Sequence, residues 1–341
     1  MKHNKNKIKW SLIIIMSLLI IIFIVIKTTK ENFSITNSGS NYLITPPYTG
    51  NLYYSYIIGD GTGHYTAPAK AILTVTPYLD SISTKGKSSL TGAYALILLT
   101  NTYTGPVVNI RRSSDNSTQD FHADSFGNIY GLSNWLNGSQ AFVTKWYDQS
   151  GLGNHAVQTS AIAQPVLVPA SSQYAPSQYL IDSSIRPNTM FFNITGSVVP
   201  TGLNAPYTFI VRHGSISNTN AGAFICAGTI NINNEANSLR ANFGQGTAYD
   251  NWWWNNDFPF GLESTLTQGN RVAVTFNGLI RTGLINNVVI DTNTTAGSNT
   301  LAGPQYLFTD LGQDNLNGQM AYMLVFNSAL STSDLNILST M

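Results

Sequence analysis

Short apolar runs separated by turn residues fill the chain from about residue 90 onward. Examples are 190–196 (MFFNITG), 207–214 (YTFIVRHG) and 223–229 (AFICAGT), which are typical of short strands. Asn277-Gly278 and Asn286-Asn287 predict tight hairpin turns. The last segment, 331–339 (STSDLNILS), starts with capping residues and predicts a short terminal helix. Because strands do not alternate regularly with helices, the pattern predicts an all-β antiparallel sandwich or jelly roll.

A different pattern occupies the start of the chain. Residues 10–26 (WSLIIIMSLLIIIFIVI) contain no charge, and lysines flank both ends. A membrane span needs about 20 apolar residues, with a lower limit near 17, so this segment predicts a transmembrane anchor. A cleaved signal peptide is the alternative, but KTTKENF follows the run in place of a small-residue cleavage site. The heavier basic side predicts a cytosolic N-terminus and a body across a cell or virion membrane.

These patterns predict five parts. They are a cytosolic basic tail at 1–9, a transmembrane anchor at 10–27, a polar linker at 28–41, a small β-rich stalk or extension at 42–88, and the sandwich at 89–341. The stretch at 42–88 alternates like strands, and it fits either a separate stalk or an extra hairpin on the main domain.

Composition agrees with a β-rich core and limits the partners. The chain has 17 Tyr, 15 Phe and 6 Trp, and only 10% of its residues are charged. Six of the 17 basic residues lie in the first thirty positions, so the remainder carries five more acidic than basic residues. Such a body argues against nucleic-acid binding. Cys226 is the single cysteine, so no disulfide can form within the chain.

The polar stretch 145–158 (KWYDQSGLGNHAVQ) follows an apolar run. Asp148 and Ser150 can bond nearby backbone N–H groups, and the two glycines permit positive φ angles, which favours a structural turn. A calcium or sugar contact by Asp148 is the alternative. His155 has no His or Cys partner at ligand spacing, so neither a metal site nor a cofactor is predicted.

Several segments resemble a known family. The segments GAYALILLTNTYTGPVVNIRRSSDNSTQDF, FVTKWYDQSGLGNHAVQ and AQPVLV are similar to the catalytic domain of arabinofuranosidase B-type α-L-arabinofuranosidases. The closing segment NGQMAYMLVFNSALSTSDL resembles concanavalin A-like, laminin-G-like modules. The resemblance implies a concanavalin A-like β-sandwich. The Asn- and Ile-rich composition also resembles the divergent form of this domain in giant-virus and phage proteins.

The resemblance implies a catalytic Glu and Asp, and a retaining glycosidase needs such a carboxyl pair about 5–5.5 Å apart. Asp314, in LGQDNLNG, matches the Asp. The nucleophile strand aligns with ANSLRANFGQG, which places Arg240 where the Glu is needed. Glu235 and Glu263 are the only glutamates beyond the linker, and a shifted alignment could use Glu235. Where the family has an adjacent pair of cysteines, this chain has only Cys226.

Two further sets of residues are candidates for sugars. The stretch 249–258 (YDNWWWNNDF) sets indoles beside amides and an acid, which can stack on a sugar and bond its hydroxyls; core packing is the alternative. Its candidate residues are Trp252, Trp254, Asn251, Asn255 and Asp257. Acceptor motifs for N-glycosylation lie at Asn116, Asn137, Asn193 and Asn293, and at Asn32 near the predicted anchor.

The sequence therefore predicts a membrane-anchored, non-catalytic sandwich with a structural or glycan-binding role. The predicted partners are a lipid bilayer and a glycan. One alternative is an active, retaining α-L-arabinofuranosidase-type glycoside hydrolase. The other is a coat component without a ligand.

Overall fold

The structure, a computed structural model, describes residues 77–341 except 172–176, 218–220, 230, 243–245, 266–268, 296 and 311–313, and four strands before residue 77. The chain divides into two compact units, residues 1–76 and 77–341. In the first unit the described strands form two antiparallel hairpins, β1 (Ser34–Ser38) with β2 (Asn41–Thr45) and β3 (Gly50–Tyr56) with β4 (Ala69–Val75). Strand β1 falls in the stretch predicted as a linker.

The predicted tail (1–9) and anchor (10–27) lie outside the described residues, so both stay predictions. Within the part that is described, the longest helix has seven residues, and none has the length and apolar character that a bilayer span requires.

The second unit is an all-β fold of two packed antiparallel layers, as the strand pattern predicted. In order of pairing, the back layer contains β21 (Val288–Thr294), β20 (Ile280–Ile285), β19 (Arg271–Phe276), β14 (Tyr207–Ile216), β24 (Gly318–Phe326) and β5 (Leu90–Ala95). The front layer contains β18 (Phe258–Leu262), β17 (Thr247–Trp252), β16 (Ala236–Asn242), β15 (Ala221–Gly228), β23 (Gln305–Leu307), β12 (Phe192–Ile194), β9 (Ala156–Val157), β8 (Ala141–Trp146), β6 (Val108–Arg112) and β7 (Thr118–Phe121).

Two strands connect the layers at one side. Strand β10 (Val166–Pro169) pairs with β8, and β11 (Tyr179–Asp182) pairs with both β10 and β24. Strands β13 (Gly202–Leu203) and β22 (Asn299–Thr300) pair with each other in a separate two-stranded sheet. Both predicted hairpin turns are confirmed: Gly278, Asn286 and Asn287 all have positive φ angles.

The main core lies between the layers. Alternate residues of β14, β19 and β24, among them Phe209 and Val274, face front-layer residues such as Phe224 and Leu239. Cys226 of β15 is fully buried beside Ser238, Asp310 and Arg240, and burial raises the pKa of its thiol well above the ordinary value.

A second apolar cluster covers the outer face of the back layer. Two helices, α1 (Tyr78–Ser81) and the C-terminal α4 (Thr332–Leu338), contribute residues to this cluster. Helix α2 (Thr84–Ser88) follows α1, α3 (Leu132–Leu136) lies between β7 and β8, and a 3₁₀ turn spans Glu263–Thr265. The carboxylate of Asp334 accepts from the backbone N–H and the hydroxyl of Ser83 at 2.7 and 2.8 Å, so α4 is tied to the start of α2. The predicted terminal helix is confirmed, whereas α1 and α2 lie in a stretch predicted as β-rich.

A buried histidine makes the stability of this unit depend on pH. The ring of His213 is fully buried, with Nε2 2.7 Å from the Tyr249 hydroxyl and Nδ1 2.8 Å from the Gly214 carbonyl. Burial lowers its pKa from 6.5 to about 4. Because the unfolded chain binds the proton more tightly, the stabilisation is complete above pH 6.5 and is lost as the pH falls towards 4.

We expect this loss to reach roughly 3 kcal/mol of unfolding free energy. The measurement is urea unfolding of the wild type and of His213→Gln at several pH values. The variant should be less stable at neutral pH but should show a flatter pH dependence. His122→Gln, at an exposed position, is the control and should keep the wild-type slope. An unchanged slope in His213→Gln would contradict the assignment.

Candidate functional site

The site is built around Arg240 in the middle of the front layer. In the strand register Arg240 of β16 lies directly opposite Asp250 of β17 and Ala223 of β15. Directly opposed residues project to the same face of a sheet, so the arginine meets the aspartate across the strands. The guanidinium Nη2 donates to Asp250 Oδ2 at 2.8 Å, and both side chains are almost completely buried.

Two more carboxylates approach the same guanidinium from the segment between β23 and β24. Nη1 of Arg240 lies 3.0 Å from Asp314 Oδ2 and 3.6 Å from Asp310 Oδ2. The backbone of Asp314 is fixed to the sheet, because its carbonyl accepts from the Ala223 N–H at 3.0 Å. Its own N–H donates to Asp310 Oδ1 at 2.5 Å. The side chain of Asp310 is 1% exposed and that of Asp314 is 36% exposed.

This aspartate cluster, Asp250, Asp310 and Asp314 around Arg240, perturbs the protonation of its members. Burial, together with the neighbouring Asp314 carboxylate, raises the pKa of Asp310 to about 7. Burial also raises the pKa of Asp250, although Arg240 opposes that rise. Burial works against the charge on Arg240, but Asp250 and the other two aspartates raise its pKa overall. The cluster therefore holds a permanent cation beside a carboxyl that titrates near neutral pH.

An aromatic loop lies beside the cluster. The Arg240 guanidinium stacks over the Trp252 ring at 4.4 Å, and Trp254 meets Trp252 edge-on with the ring centroids 5.0 Å apart. Strand β17 ends at Trp252, and Trp254 then takes a φ of 63°, an uncommon backbone conformation for a large residue. Trp254 is half-buried at the end of this stack.

The structure divides the predicted sugar-binding residues into two groups. Trp254, Asn255 and Asp257 reach solvent, and burial together with Asp250 raises the pKa of Asp257 to about 6. Trp252 is only 7% exposed and Asn251 is fully buried, with hydrogen bonds to Tyr207, Asn237 and Ser238. Trp252 and Asn251 therefore pack inside the fold at the base of the loop, because residues on both faces of β17 are buried.

In the stretch 145–158, the carboxylate of Asp148 is buried and bonded to the backbone. Asp148 is 1% exposed, and its carboxylate accepts hydrogen bonds from the backbone of Ala93, Ser150 and Asn154 and from the Ser150 hydroxyl. Its oxygens therefore accept hydrogen bonds inside the fold, and a sugar contact by Asp148 stays an untested prediction. The structural interpretation of the turn fits these hydrogen bonds.

The N-glycosylation candidates occupy the surface. Asn116, Asn137 and Asn193 are exposed, and Asn293 is half-buried and accepts from Arg281 and Thr295. Asn32 lies outside the described residues. Their modification stays a prediction.

Two members of the aspartate cluster, Asp310 and Asp250, were not predicted from the sequence. Asp310 precedes Asp314 by four residues in the sequence, a spacing that could have indicated it. Asp250 is recognisable only from its register opposite Arg240. Glu235, the alternative nucleophile, precedes β16 and takes no part in the ion pairs of Arg240, which among the described residues are formed with the three aspartates. Within the same described part, no group of three His, Cys, Asp or Glu side chains is arranged to hold a metal ion.

Comparisons with known proteins point to one enzyme group. No family profile matches the chain. A 137-residue segment is 28% identical to α-L-arabinofuranosidase B of Penicillium canescens, covering 34% of this chain and 28% of that enzyme. An arabinofuranosidase solved with arabinofuranosyl-α-1,2-xylobiose matches with a TM-score of 0.56 and 16% identity, covering 74% of this chain and 62% of that one. A family 54 α-L-arabinofuranosidase soaked with a cyclic sulfate inhibitor gives a TM-score of 0.51, 17% identity, and coverages of 74% and 63%.

These similarities establish the fold relationship and correct one prediction. The chain spans less than two thirds of each of these relatives, and it shares their β-sandwich fold. The prediction of a non-catalytic protein is contradicted, because these relatives are arabinofuranosidases, whereas the predicted anchor lies outside the described residues. That prediction rested on the missing glutamate and overlooked the carboxyls that the fold collects around Arg240. The comparisons give no support to the giant-virus form or to the membrane, virion and glycoprotein expectations.

Proposed function

We propose that residues 77–341 form a glycoside hydrolase related to the α-L-arabinofuranosidases, with Asp314 as the general acid. The observation that carries the proposal is the pairing of Asp314 with Asp310 on one guanidinium nitrogen. Asp314 reaches solvent and can contact a substrate, whereas Asp310 is buried and cannot. Because both contact the same nitrogen, their contacting oxygens are at most about 6.6 Å apart.

The two carboxyls have different tasks in this proposal. With a pKa of about 7, Asp310 keeps a proton close to Asp314 at neutral pH, and this pair can share it. Asp314 gives a proton to the glycosidic oxygen as the bond from that oxygen to the anomeric carbon breaks. A water oxygen then bonds to the anomeric carbon, and the proton that the water loses restores the pair. Arg240 cannot attack carbon; it fixes both carboxyls in place.

The exposed end of the aromatic loop supplies the sugar contact. The Trp254 ring packs against Trp252, which in turn lies against Arg240 of the aspartate cluster. Asn255 and Asp257 follow Trp254 in the loop and add exposed polar groups. A ring of this kind stacks on the apolar C–H face of a sugar. The arabinofuranosidase complex with arabinofuranosyl-xylobiose supports an arabinose-containing glycan as the substrate class. The concanavalin A-like form of the sandwich remains part of this proposal.

The proposal predicts how activity depends on pH. Asp310 must be protonated for the pair to deliver a proton, so kcat/KM should fall as the pH rises through about 7. The test is the pH profile on a chromogenic α-L-arabinofuranoside. Asp310→Asn should remove or shift this limb. Asp115→Asn should retain it, because Asp115 lies on the surface and pairs with Arg112, outside the aspartate cluster. A profile that stays flat up to pH 9 would rule out Asp310 as the proton reservoir.

A further inference from the structure

A polar cleft lies in another part of the same unit, against the segment between β7 and β8. Its volume is about 220 Å³, and its walls come from the 128–134 segment and from the start of β11. The polar residues that line it are Asn128, Ser133, Asn134 and Gln178. None of the residues that line it belongs to the aspartate cluster or to the aromatic loop.

The cleft is held in shape by hydrogen bonds that do not use its whole polar surface. Asp124 fixes the segment, because its carboxylate accepts from the Phe126 and Asn128 N–H groups at 2.8 and 2.9 Å and from the Asn128 amide at 2.7 Å. Gln178 Nε2 donates to Asn128 Oδ1 at 2.6 Å and joins the two walls. Preformed walls reduce the entropy that a ligand must otherwise overcome on binding.

The chemistry of the lining selects a neutral, hydroxyl-rich ligand. Among the described lining residues there is no Lys, Arg, Asp or Glu. A phosphate or a carboxylate ligand would need a cation there. Amide and hydroxyl side chains combine donors and acceptors, as do sugar hydroxyls. Ile129, Leu132 and Tyr179 add apolar surface beneath them.

An exposed aromatic residue lies next to the cleft residues in the chain. Tyr130, between the lining residues Ile129 and Gly131, is 60% exposed. Its hydroxyl donates to Asp124 Oδ2 at 3.1 Å, so one end of the ring is held while most of the side chain stays exposed. A large exposed aromatic side chain beside a polar cleft is a feature of ligand-binding surfaces.

We propose that this cleft is a second carbohydrate site, which binds a neutral oligosaccharide with Tyr130 as its stacking platform. The site holds a polysaccharide chain without cleaving it, since the lining offers no carboxyl group. The binding itself does not depend on the hydrolase proposal, so either can fail alone.

The direct test is titration of the full chain with xylotriose and arabinotriose, followed by NMR or calorimetry. Tyr130→Ala and Asn134→Ala should each weaken binding at least about tenfold. Tyr130→Phe should keep most of the affinity, because it retains the ring. Leu152→Ala, at a residue 61% exposed on another loop, is the matched control and should bind as the wild type does.

Two outcomes overturn the proposal. One is the absence of any binding of either sugar to the wild-type chain at millimolar concentration. The other is equal affinity in Tyr130→Ala, Asn134→Ala and the wild type, which would place the sugar elsewhere. Turnover of a small chromogenic arabinoside should be the same in Tyr130→Ala and the wild type. If the wild type showed no turnover of this substrate, only the proposed function would be contradicted.

Discussion

Asp314→Asn should reduce kcat/KM on 4-nitrophenyl α-L-arabinofuranoside by about 10²- to 10⁴-fold, the usual contribution of a positioned general acid. The amide keeps the shape of the side chain but cannot supply the proton. Because Asp314 is partly exposed and Arg240 keeps two other partners, the fold should remain intact. Initial rates and a circular dichroism spectrum of the variant measure both expectations.

The matched control for this variant is Asp115→Asn. Asp115 also pairs with an arginine, Arg112, at 2.6 Å, but it lies on the surface in a β6–β7 turn, outside the aspartate cluster. Its substitution should leave the rate unchanged. If Asp314→Asn kept more than about a tenth of the wild-type rate, Asp314 would not be the general acid.

Arg240→Met should destabilise the second unit by about 3–5 kcal/mol, the usual cost of removing one partner of a buried ion pair. Asp250 is almost completely buried, and its salt bridge to Arg240 is the ion pair that compensates its charge. Without the guanidinium, Asp250 must either remain charged in the core or take up a proton. Urea unfolding at neutral pH measures the loss.

A double-mutant cycle separates this effect from simple loss of packing. Arg240→Met combined with Asp250→Asn removes both charges and should recover much of the stability that the single variant loses. Arg112→Met, which breaks the exposed pair with Asp115, should cost only a small fraction of that loss. A double variant as unstable as Arg240→Met would show that packing against Trp252, and not charge, dominates at this position.

The fold class could be predicted because its signals are local. Strand alternation, the Asn277-Gly278 turn and the cap at Ser331 each depend on neighbouring residues, and the structure has the expected strands, turn and helix there. Helices α1 and α2 were missed because short helices owe their stability to tertiary contacts, in this case the bonds from Ser83 to Asp334 across 251 positions.

The site could be predicted only in part, since register and burial depend on distant pairings. Asp314 and Arg240 were found by resemblance, and the structure brings them to 3.0 Å. Asp250 was hidden because its role depends on which residue lies across the strand. Trp252 and Trp254 were both named as sugar-binding candidates, but Trp252 is buried at the end of β17, whereas Trp254 follows it with a left-handed backbone and is only half-buried.

The solitary, enclosed thiol of Cys226 has a practical consequence. Since this chain closes no disulfide, its sandwich needs no oxidant to mature and can be produced in a reducing bacterial cytosol as well as in a secretory pathway. A raised pKa and complete burial also protect this sulfur from alkylating reagents for as long as the surrounding sheets hold together. The rate at which the thiol becomes labelled therefore reports the opening of the front layer around Arg240 and Asp310.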